Sequence, residues 1–575
     1  MWSNDTVMRH KKDGKWVDIK WRELENSVVS MASQLMVEGV KARSHIAIIS
    51  GNRPEWAVID MGSQSADIIN VPVYPTNTAE QIAYILDDSG AEMVFVENQI
   101  QLDKIFAIKD KLPKLRKAIV IEGYTGTDDF VTDYSTFMES GRSNHKRRDV
   151  DKCVESIDPE KTATLIYTSG TTGNPKGVML SHRNMVSNIE AVKDFLPLDT
   201  GDTNLLFLPI CHSFGRMELY VFMMHHGIVN FAESIEKVPQ NLQEIKPKFF
   251  VTVPRLLEKI FEKIQVGLGS ASPSKKKLFN WAIEVGKSAM QDNLDGNPLP
   301  LLLKIKMKVA DKLVHQKIRG FFGGNIQVLC YAAAPLALDI QHFFAAAGII
   351  GVEAYGLTET APGVSGNSPG HIRLGSVGLP IKDTELKIAD DGEVLVRGPQ
   401  IMLGYWNKPE ATAEAIVDGW FYTGDIGKID EDGYLYITDR KKDIIITAGG
   451  KNISPQNIEN LIKLDPAIEQ VAIIGDKRKY LTALVAPSPD WLKVFAEEQG
   501  FKGDMNELAK SDLVRDELTK RITKANLSLA KYETIKKFEV LLEPFSVEND
   551  MLTPTMKVRR KNVMKAYEDQ IDGMY

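Results

Sequence analysis

TSGTTGNPKG, residues 168–177, holds three glycines, three threonines, a serine and a lysine in ten positions. The apolar run ATLIY precedes it at Ala163–Tyr167, and GVML follows at Gly177–Leu180; both have the character of buried strands. Glycines let backbone N–H groups approach a polyanion, hydroxyls donate hydrogen bonds, and a lysine supplies positive charge. The Walker arrangement ends in Gly-Lys-Ser/Thr and opens a helix. Here Lys176 is followed by Gly177 and an apolar run. The stretch therefore reads as a phosphate loop of another kind rather than as a polar hairpin turn.

A length of 575 residues suggests about three to four domains. With 43% hydrophobic and 26% charged residues, the chain is of the soluble globular class and can bury large cores. Seventy basic against 77 acidic residues leave a net charge of −7, which excludes a general affinity for nucleic acid. The basic clusters Lys146–Arg148 and Lys275–Lys277 read as solvated faces. Three cysteines, Cys153, Cys211 and Cys330, give neither a disulfide framework nor metal-ligand spacing, which points to a reducing compartment. The first residues lack the apolar centre of a signal peptide. The longest apolar stretch, FFAAAGIIGV at Phe343–Val352, is too short to span a bilayer. A cytoplasmic protein is expected, with peripheral contact at the inner face of a membrane left open.

The first 150 residues alternate strand-like segments (Ile46–Ile49, Val71–Tyr74, Met93–Val96, Ala118–Ile121) with helical ones (Pro54–Ala66, Ala79–Asp88, Ile100–Leu112), the pattern of an α/β domain with a mainly parallel sheet. Lys146–Asp158 reads as a surface linker. Ser181 has the position of a helix N-cap. A strand at Asn204–Pro209 leads to His212 and Phe214 at the head of an apolar helix, Met217–His226, where open α/β sheets place pocket walls. Residues 256–322 form a helical insertion. In it Leu278, Trp281, Ala282, Val285 and Ala289, and then Ile305, Val309 and Leu313, fall at helical spacing and read as packing positions. From Gly392 onward, Val, Gly and Tyr with regular turns indicate a small antiparallel β unit. A compact α/β lobe of about 130 residues closes the chain. The expected fold is α/β: a large domain, 1–438, of mainly parallel sheets plus the β unit, and a small mobile lobe, 439–575.

Four distant stretches share one chemistry. The phosphate loop supplies donors, YGLTET at Tyr355–Thr360 offers an aromatic face and a carboxylate, YTGD at Tyr422–Asp425 a second carboxylate, and PTMK at Pro554–Lys557 a lysine. A nucleoside triphosphate needs that set: donors for phosphates, carboxylates for Mg2+ and for ribose hydroxyls, and a surface for the base. Together with DRKKD at Asp439–Asp443, these stretches in this order resemble the adenylate-forming superfamily of acyl-CoA synthetases, luciferases and adenylation domains, over nearly the whole chain. The insertion, headed by VPRLLEKIFEKI, and the tail from LAKYETIKKF through LTPTMKVRRK are most similar to bacterial long-chain fatty-acid–CoA ligases.

The resemblance implies ATP-dependent activation of a long-chain fatty acid to acyl-AMP, then transfer to CoA. ATP and CoA are the co-substrates and Mg2+ is the cofactor. Thr168, Ser169, Gly170, Thr171, Thr172, Gly173 and Lys176 are then expected on the β- and γ-phosphates, and Glu359 on Mg2+ with help from Thr168. Tyr355 is expected on adenine beside Ala333, Glu353, Ala354, Gly356 and Thr358, and Asp425 and Arg440 at the ribose. Lys557 is expected between the substrate carboxylate and the α-phosphate. His212 and Phe214 fall in the acyl tunnel, with His212 as gate or as plain wall. Asp439 is the hinge position, and Gly449 and Gly450 fall at the CoA channel. One departure stands out: Tyr331-Ala332-Ala333 occupies a place usually held by Ser-Gly or Gly-Gly, so Tyr331 is expected to reshape the adenine or acyl pocket. A shorter, branched or aromatic acid, an acyl-AMP ligase serving a carrier protein, and a non-catalytic nucleotide-binding homologue remain as other readings. The oligomeric state is open.

Overall fold

A computed structural model describes residues 4–168, 174–269, 271–448, 451–546, 549–552 and 558–575. The loop residues Ser169–Gly173, Gly449, Gly450 and Lys557 lie outside the described residues.

The large domain is built on two sheets. The first contains β1 (His45–Ile49), β2 (Ile69–Val73), β3 (Met93–Val96), β4 (Lys117–Val120), β5 (Val131–Asp133), β6 (Thr162–Thr168) and β7 (Lys176–Ser181). Five neighbouring pairs, from β6–β2 across to β4–β5, are parallel. β7 returns antiparallel to β6. The central strands β1, β2 and β3 are buried throughout, as parallel strands covered on both faces must be. Alternate residues serve opposite faces: Ile46, Ile48, Met93 and Phe95 pack into one core, and Ala47, Ile49, Val94 and Val96 into the other.

The second sheet runs β8 (Phe249–Thr252), β9 (Val328–Tyr331), β10 (Ile350–Gly356), β11 (Gly363–Gly366), with its first three strands parallel. A third, antiparallel sheet follows. Its central strand β12 (Trp420–Ile429) pairs with β13 (Leu435–Arg440), which delivers the chain to the last lobe. That lobe has its own three-stranded sheet, Ile468–Ile474, Leu481–Pro487 and Ile535–Val540, and its own apolar core.

Four helices matter for the site: α1 (Ser213–Met224), then the insertion's α2 (Pro254–Gly269), α3 (Pro273–Asp295) and α4 (Leu301–Ala310). Ser181 caps its helix as expected, with a reciprocal bond to Asn184. Three readings are corrected, and the residues ahead of the first expected strand add elements of their own. Lys146–Asp158 is not a linker: Arg147–Ser156 is a helix that buries Val150, because one apolar residue in a charged run suffices to seat a short helix. Asn204–Pro209 is not a ladder strand: it makes one isolated bridge, from Leu206 to Phe231. A β-hairpin, Thr6–Lys12 and Lys15–Lys20, and the helix Trp21–Val37 precede the first expected strand. In the insertion, Ala282, Val285 and Ala289 are buried, but Leu278, Trp281, Ile305, Val309 and Leu313 are exposed.

Tyr331 also departs from expectation. Along β9, Val328 and Cys330 face one core, whereas Leu329 and Tyr331 face the core beneath the insertion. The Tyr331 ring lies against Gly351, where an added Cβ would sit 3.0 Å from it. The pleat carries the ring away from the cleft, and Cys330 is the residue that lines it.

Helix α1 is tied to the first sheet by a buried charge cluster. Arg216 donates from Nε to Asp60 at 3.0 Å and from Nη1 to the Thr164 hydroxyl at 2.8 Å. Its Nη2 meets the other Asp60 oxygen at 2.5 Å, with side chains 2% and 0% exposed. Tyr220 and Asn70 donate to the same carboxylate. Breaking one side of such a pair typically costs about 3–5 kcal/mol, while replacing both partners with apolar groups costs far less. Asp60→Leu is therefore expected to lower stability by about that amount. The double variant Asp60→Leu/Arg216→Leu should recover part of the loss, as read from urea unfolding midpoints.

Candidate active site

The site assembles where the C-terminal ends of parallel strands from both sheets meet the β unit, the usual ligand position in open α/β sheets. One cleft of about 1830 Å³ runs there. All the described residues expected at the nucleotide, acyl and hinge positions line it, from Thr168 and Lys176 through His212, Tyr355 and Glu359 to Asp425 and Arg440.

Asp425 is its most constrained group. It stands opposite Arg440 in the β12–β13 register, so the two side chains are cross-strand neighbours. Arg440 Nε lies 2.8 Å from Asp425 Oδ1, and the aspartate side chain is 3% exposed. Its second oxygen accepts from the Tyr355 hydroxyl at 2.5 Å. The Thr423 hydroxyl accepts from the Asp425 amide at 3.1 Å and donates to Val394 O at 2.7 Å, fixing the turn. The carboxylate is thus held from two sheets, with the Tyr355 ring on the cleft wall.

Two residues before Tyr355 on the same face of β10 sits Glu353. Gln341 donates to it at 2.9 Å and to Leu336 O at 2.9 Å, while the Gln341 carbonyl accepts from Gly375 N at 2.9 Å. Burial raises the Glu353 pKa to about 8, against the lowering effect of its hydrogen bonds. Nearby Ala333 holds a left-handed φ of 75°, a conformation glycine adopts more readily.

At the phosphate end, Thr168 pairs with Lys176 across the β6–β7 hairpin. Lys176 Nζ lies 4.6 Å from the centre of the Tyr405 ring. The Tyr405 hydroxyl donates to Glu359 Oε1 at 2.9 Å, so a cation, an aromatic ring and a carboxylate are stacked in sequence. Asn188 holds the loop that carries Glu359, accepting from Gly363 N at 3.1 Å and donating to Gly363 O at 2.9 Å. On the acyl side His212 is the N-cap of α1, its Nδ1 accepting from Phe214 N at 3.2 Å. Phe214, Met217, Val221, Val251 and Val352 continue the wall as an apolar surface. On the opposite wall Asp439 accepts from the Arg440 amide at 2.6 Å, and burial raises its pKa.

A family model described as AMP-binding enzyme matches residues 2–406, and one described as AMP-binding enzyme C-terminal domain matches 442–575. The chain belongs to the AMP-binding enzyme family. It is 35% identical to long-chain-fatty-acid–CoA ligase FadD15 of Mycobacterium bovis, over 98% of this chain and 93% of that one. It is 30% identical to human long-chain-fatty-acid–CoA ligase 1, over 98% and 83%. Among solved structures it resembles ATP-bound MatB from Rhodopseudomonas palustris, with a TM-score of 0.72 and 22% identity over 99% and 96% of the two chains. It also resembles the anthranilate CoA ligase AuaEII in complex with anthranoyl-AMP, with a TM-score of 0.73 and 20% identity over 98% and 94%. At these identities the structural likeness is one of fold.

In this AMP-binding enzyme the sequence reading missed Tyr405, Gln341 and Asn188. Each acts by touching an expected site residue or the loop that carries one, and none belongs to a motif of its own. An N-cap pattern marks Ser181 and Asn184, one turn before Asn188, but nothing local ties Tyr405 to Glu359. Glu353 gives a pH signature. Its folded pKa is raised above the unfolded carboxylate value, so folding favours the protonated form. The stability contributed by Glu353 should be fullest below about pH 4 and fall as pH rises towards about 8. Glu353→Gln is expected to flatten that fall and to be the more stable protein at pH 9, with denaturant titrations at pH 5 and pH 9 as the check.

Proposed function

We propose that this AMP-binding enzyme is an ATP-dependent long-chain fatty-acid–CoA ligase. The reading is carried by a single cleft that joins the Tyr355–Asp425–Arg440 cluster to an apolar wall. Its support is full-length similarity to long-chain-fatty-acid–CoA ligases. A carboxylate oxygen of the acid attacks the α-phosphorus of ATP, the bond to the β-phosphate oxygen breaks, and pyrophosphate leaves. The CoA sulfur, its thiol proton passing to solvent, then attacks the acyl carbon and AMP departs with the electron pair of the broken C–O bond.

In this proposal Tyr355 offers its ring to adenine, with Ala333, Glu353, Ala354, Gly356 and Thr358 around it. A neutral Glu353 suits the base edge, since it adds no charge there. Asp425 accepts from the ribose hydroxyls, and Arg440 keeps its orientation. Thr168–Gly173 and Lys176 take the β- and γ-phosphates. Glu359 has one oxygen on Tyr405 and lines the cleft, which suits a hard cation. Glu359 and the Thr168 hydroxyl would hold Mg2+, which neutralises phosphate charge when bound. Among the described residues no cluster of three or more His, Cys, Asp or Glu side chains is arranged for a metal, and phosphate oxygens of the nucleotide would supply further ligands. Lys557 stands between the acid and the α-phosphate, stabilising charge that concentrates between two anions. The flanking Leu552 and Val558 line the cleft. Residues 1–438 and 439–575 act as the two bodies, Asp439 as hinge, and Gly449–Gly450 border the pantetheine path. His212, fixed as a helix cap, and Phe214 wall the acyl tunnel. The setting is cytoplasmic, with peripheral contact at a bilayer, where such acids reside.

Pyrophosphate release should peak with long saturated acids and be accompanied by acyl-CoA when CoA is present. Release without thioester would make the enzyme an acyl-AMP ligase, and no release with any acid would overturn the reading. Lys557→Ala is expected to slow adenylate formation by about 10²–10³ while sparing thioester formation from supplied acyl-AMP. Equal loss of both half-reactions would contradict its assigned place.

A further inference from the structure

The insertion carries an apolar surface that its packing does not use. On α4, Leu303, Met307 and Ala310 turn inward and pack on the core beneath the insertion. The opposite side of the same helix presents Leu301 at 76%, Leu302 at 66%, Ile305 at 53% and Val309 at 45% exposure. Leu313, in the π-helical turn Asp311–His315 that follows, is exposed as well. A ten-residue helix with apolar residues on both its inner and its outer side has a second surface to cover. At 3.6 residues per turn, Lys304 and Lys308 border the outer stripe on one side and Lys306 on the other; all three are exposed. Lys312 follows one turn on, also exposed. The sequence LLLKIKMKVA contains no acid. Asp292 and Asp295 precede the helix in the chain, while Asp311 after it pairs with Arg319 and Glu284 on α3 pairs with Lys287. The packed neighbour α3 adds exposed Leu278 and Trp281 next to Lys275–Lys277.

We infer that α4 is a docking element for an anionic lipid bilayer, lying in the headgroup plane with Leu301, Leu302, Ile305 and Val309 in the acyl boundary and its lysines on lipid phosphates. An apolar stripe bordered by lysines is the arrangement of an interfacial helix, and basic residues at a leaflet of negative surface potential add electrostatic attraction. Ten residues are far too few to cross a bilayer, and among the described residues no helix is long and apolar enough to do so. The charge also argues against a second copy of the chain: stacking two α4 faces would bring their six lysines within about a screening length of one another. The inference rests on the reading that the substrate is a long-chain acid, and it names the surface on which such an acid is met. The insertion is rooted at the cleft, because Pro254, Arg255 and Glu258 at the start of α2 line it.

The test is co-sedimentation of the full chain with vesicles of phosphatidylcholine, with and without phosphatidylglycerol, in the absence of ATP and acid. Wild type is expected to pellet with the phosphatidylglycerol vesicles, to release as salt rises, and to leave phosphatidylcholine alone largely unbound. Leu302→Glu/Ile305→Glu should weaken binding by about tenfold or more, and Lys304→Glu/Lys308→Glu should abolish the preference for phosphatidylglycerol. Both variants alter exposed side chains, so turnover of a short, freely soluble acid should stay at the wild-type value. Turnover of a long acid delivered in phosphatidylglycerol vesicles should fall with the binding. Undiminished binding by the Leu302→Glu/Ile305→Glu variant, or absence of vesicle binding by wild type, overturns the inference. So does a wild-type dimer in sedimentation equilibrium that this variant dissolves. Vesicle binding as expected together with no pyrophosphate release from any acid upholds the surface and overturns the ligase reading instead.

Discussion

The arrangement of the site depends on one buried carboxylate. Asp425 is almost fully enclosed, and a carboxylate there would be costly without partners. It has two, and they come from different sheets: Arg440 across the β12–β13 register and Tyr355 from the end of β10. The same bonds that satisfy Asp425 therefore lock the β unit against the second sheet and set the aromatic ring on the cleft wall. Strand β10 extends this logic. It carries Glu353 and Tyr355 on one face, then runs into the loop that bears Glu359, which Asn188 clamps. One strand thus positions the adenine, ribose and metal ends of the proposed site.

The last lobe meets the large domain through polar contacts. Arg255 reaches Glu469 at 2.5 Å, Lys463 reaches Glu258 at 2.9 Å, and Lys441 bridges Asp391 and Glu393 at 2.6 and 2.8 Å. Leu464 adds a partly buried apolar contact with the insertion core. Half-exposed pairs such as those of Lys441 contribute little each. A polar interface with little apolar burial can be exchanged for another at small cost, whereas an interface built like a core cannot. The proposed hinge at Asp439 between the two bodies has a physical basis in this chemistry.

Much of this was legible in the sequence. Short continuous apolar runs such as Ile46–Ile49 and Met93–Val96 identify buried parallel strands. The capping pattern at Ser181 identifies a helix start, and the motif residues Tyr355, Glu359, Asp425 and Arg440 fall in one cleft. What could not be read depends on long-range packing. Whether Tyr331 points at the cleft depends on the pleat of β9 and on an insertion folded beneath it. The link from Tyr405 to Glu359 joins residues 46 apart in sequence. The periodic Ile305, Val309 and Leu313 looked like core because helical spacing reports a face, not what that face meets.

Binding of AMP, measured calorimetrically with Asp425→Asn against wild type, tests the central claim most directly. If the clasped carboxylate is the ribose acceptor, losing its charge removes charge-assisted hydrogen bonds worth about 1.5–3 kcal/mol, so affinity should drop by about tenfold or more in a protein that remains folded. Unchanged affinity in the folded variant would contradict the account and place the nucleotide elsewhere in the cleft.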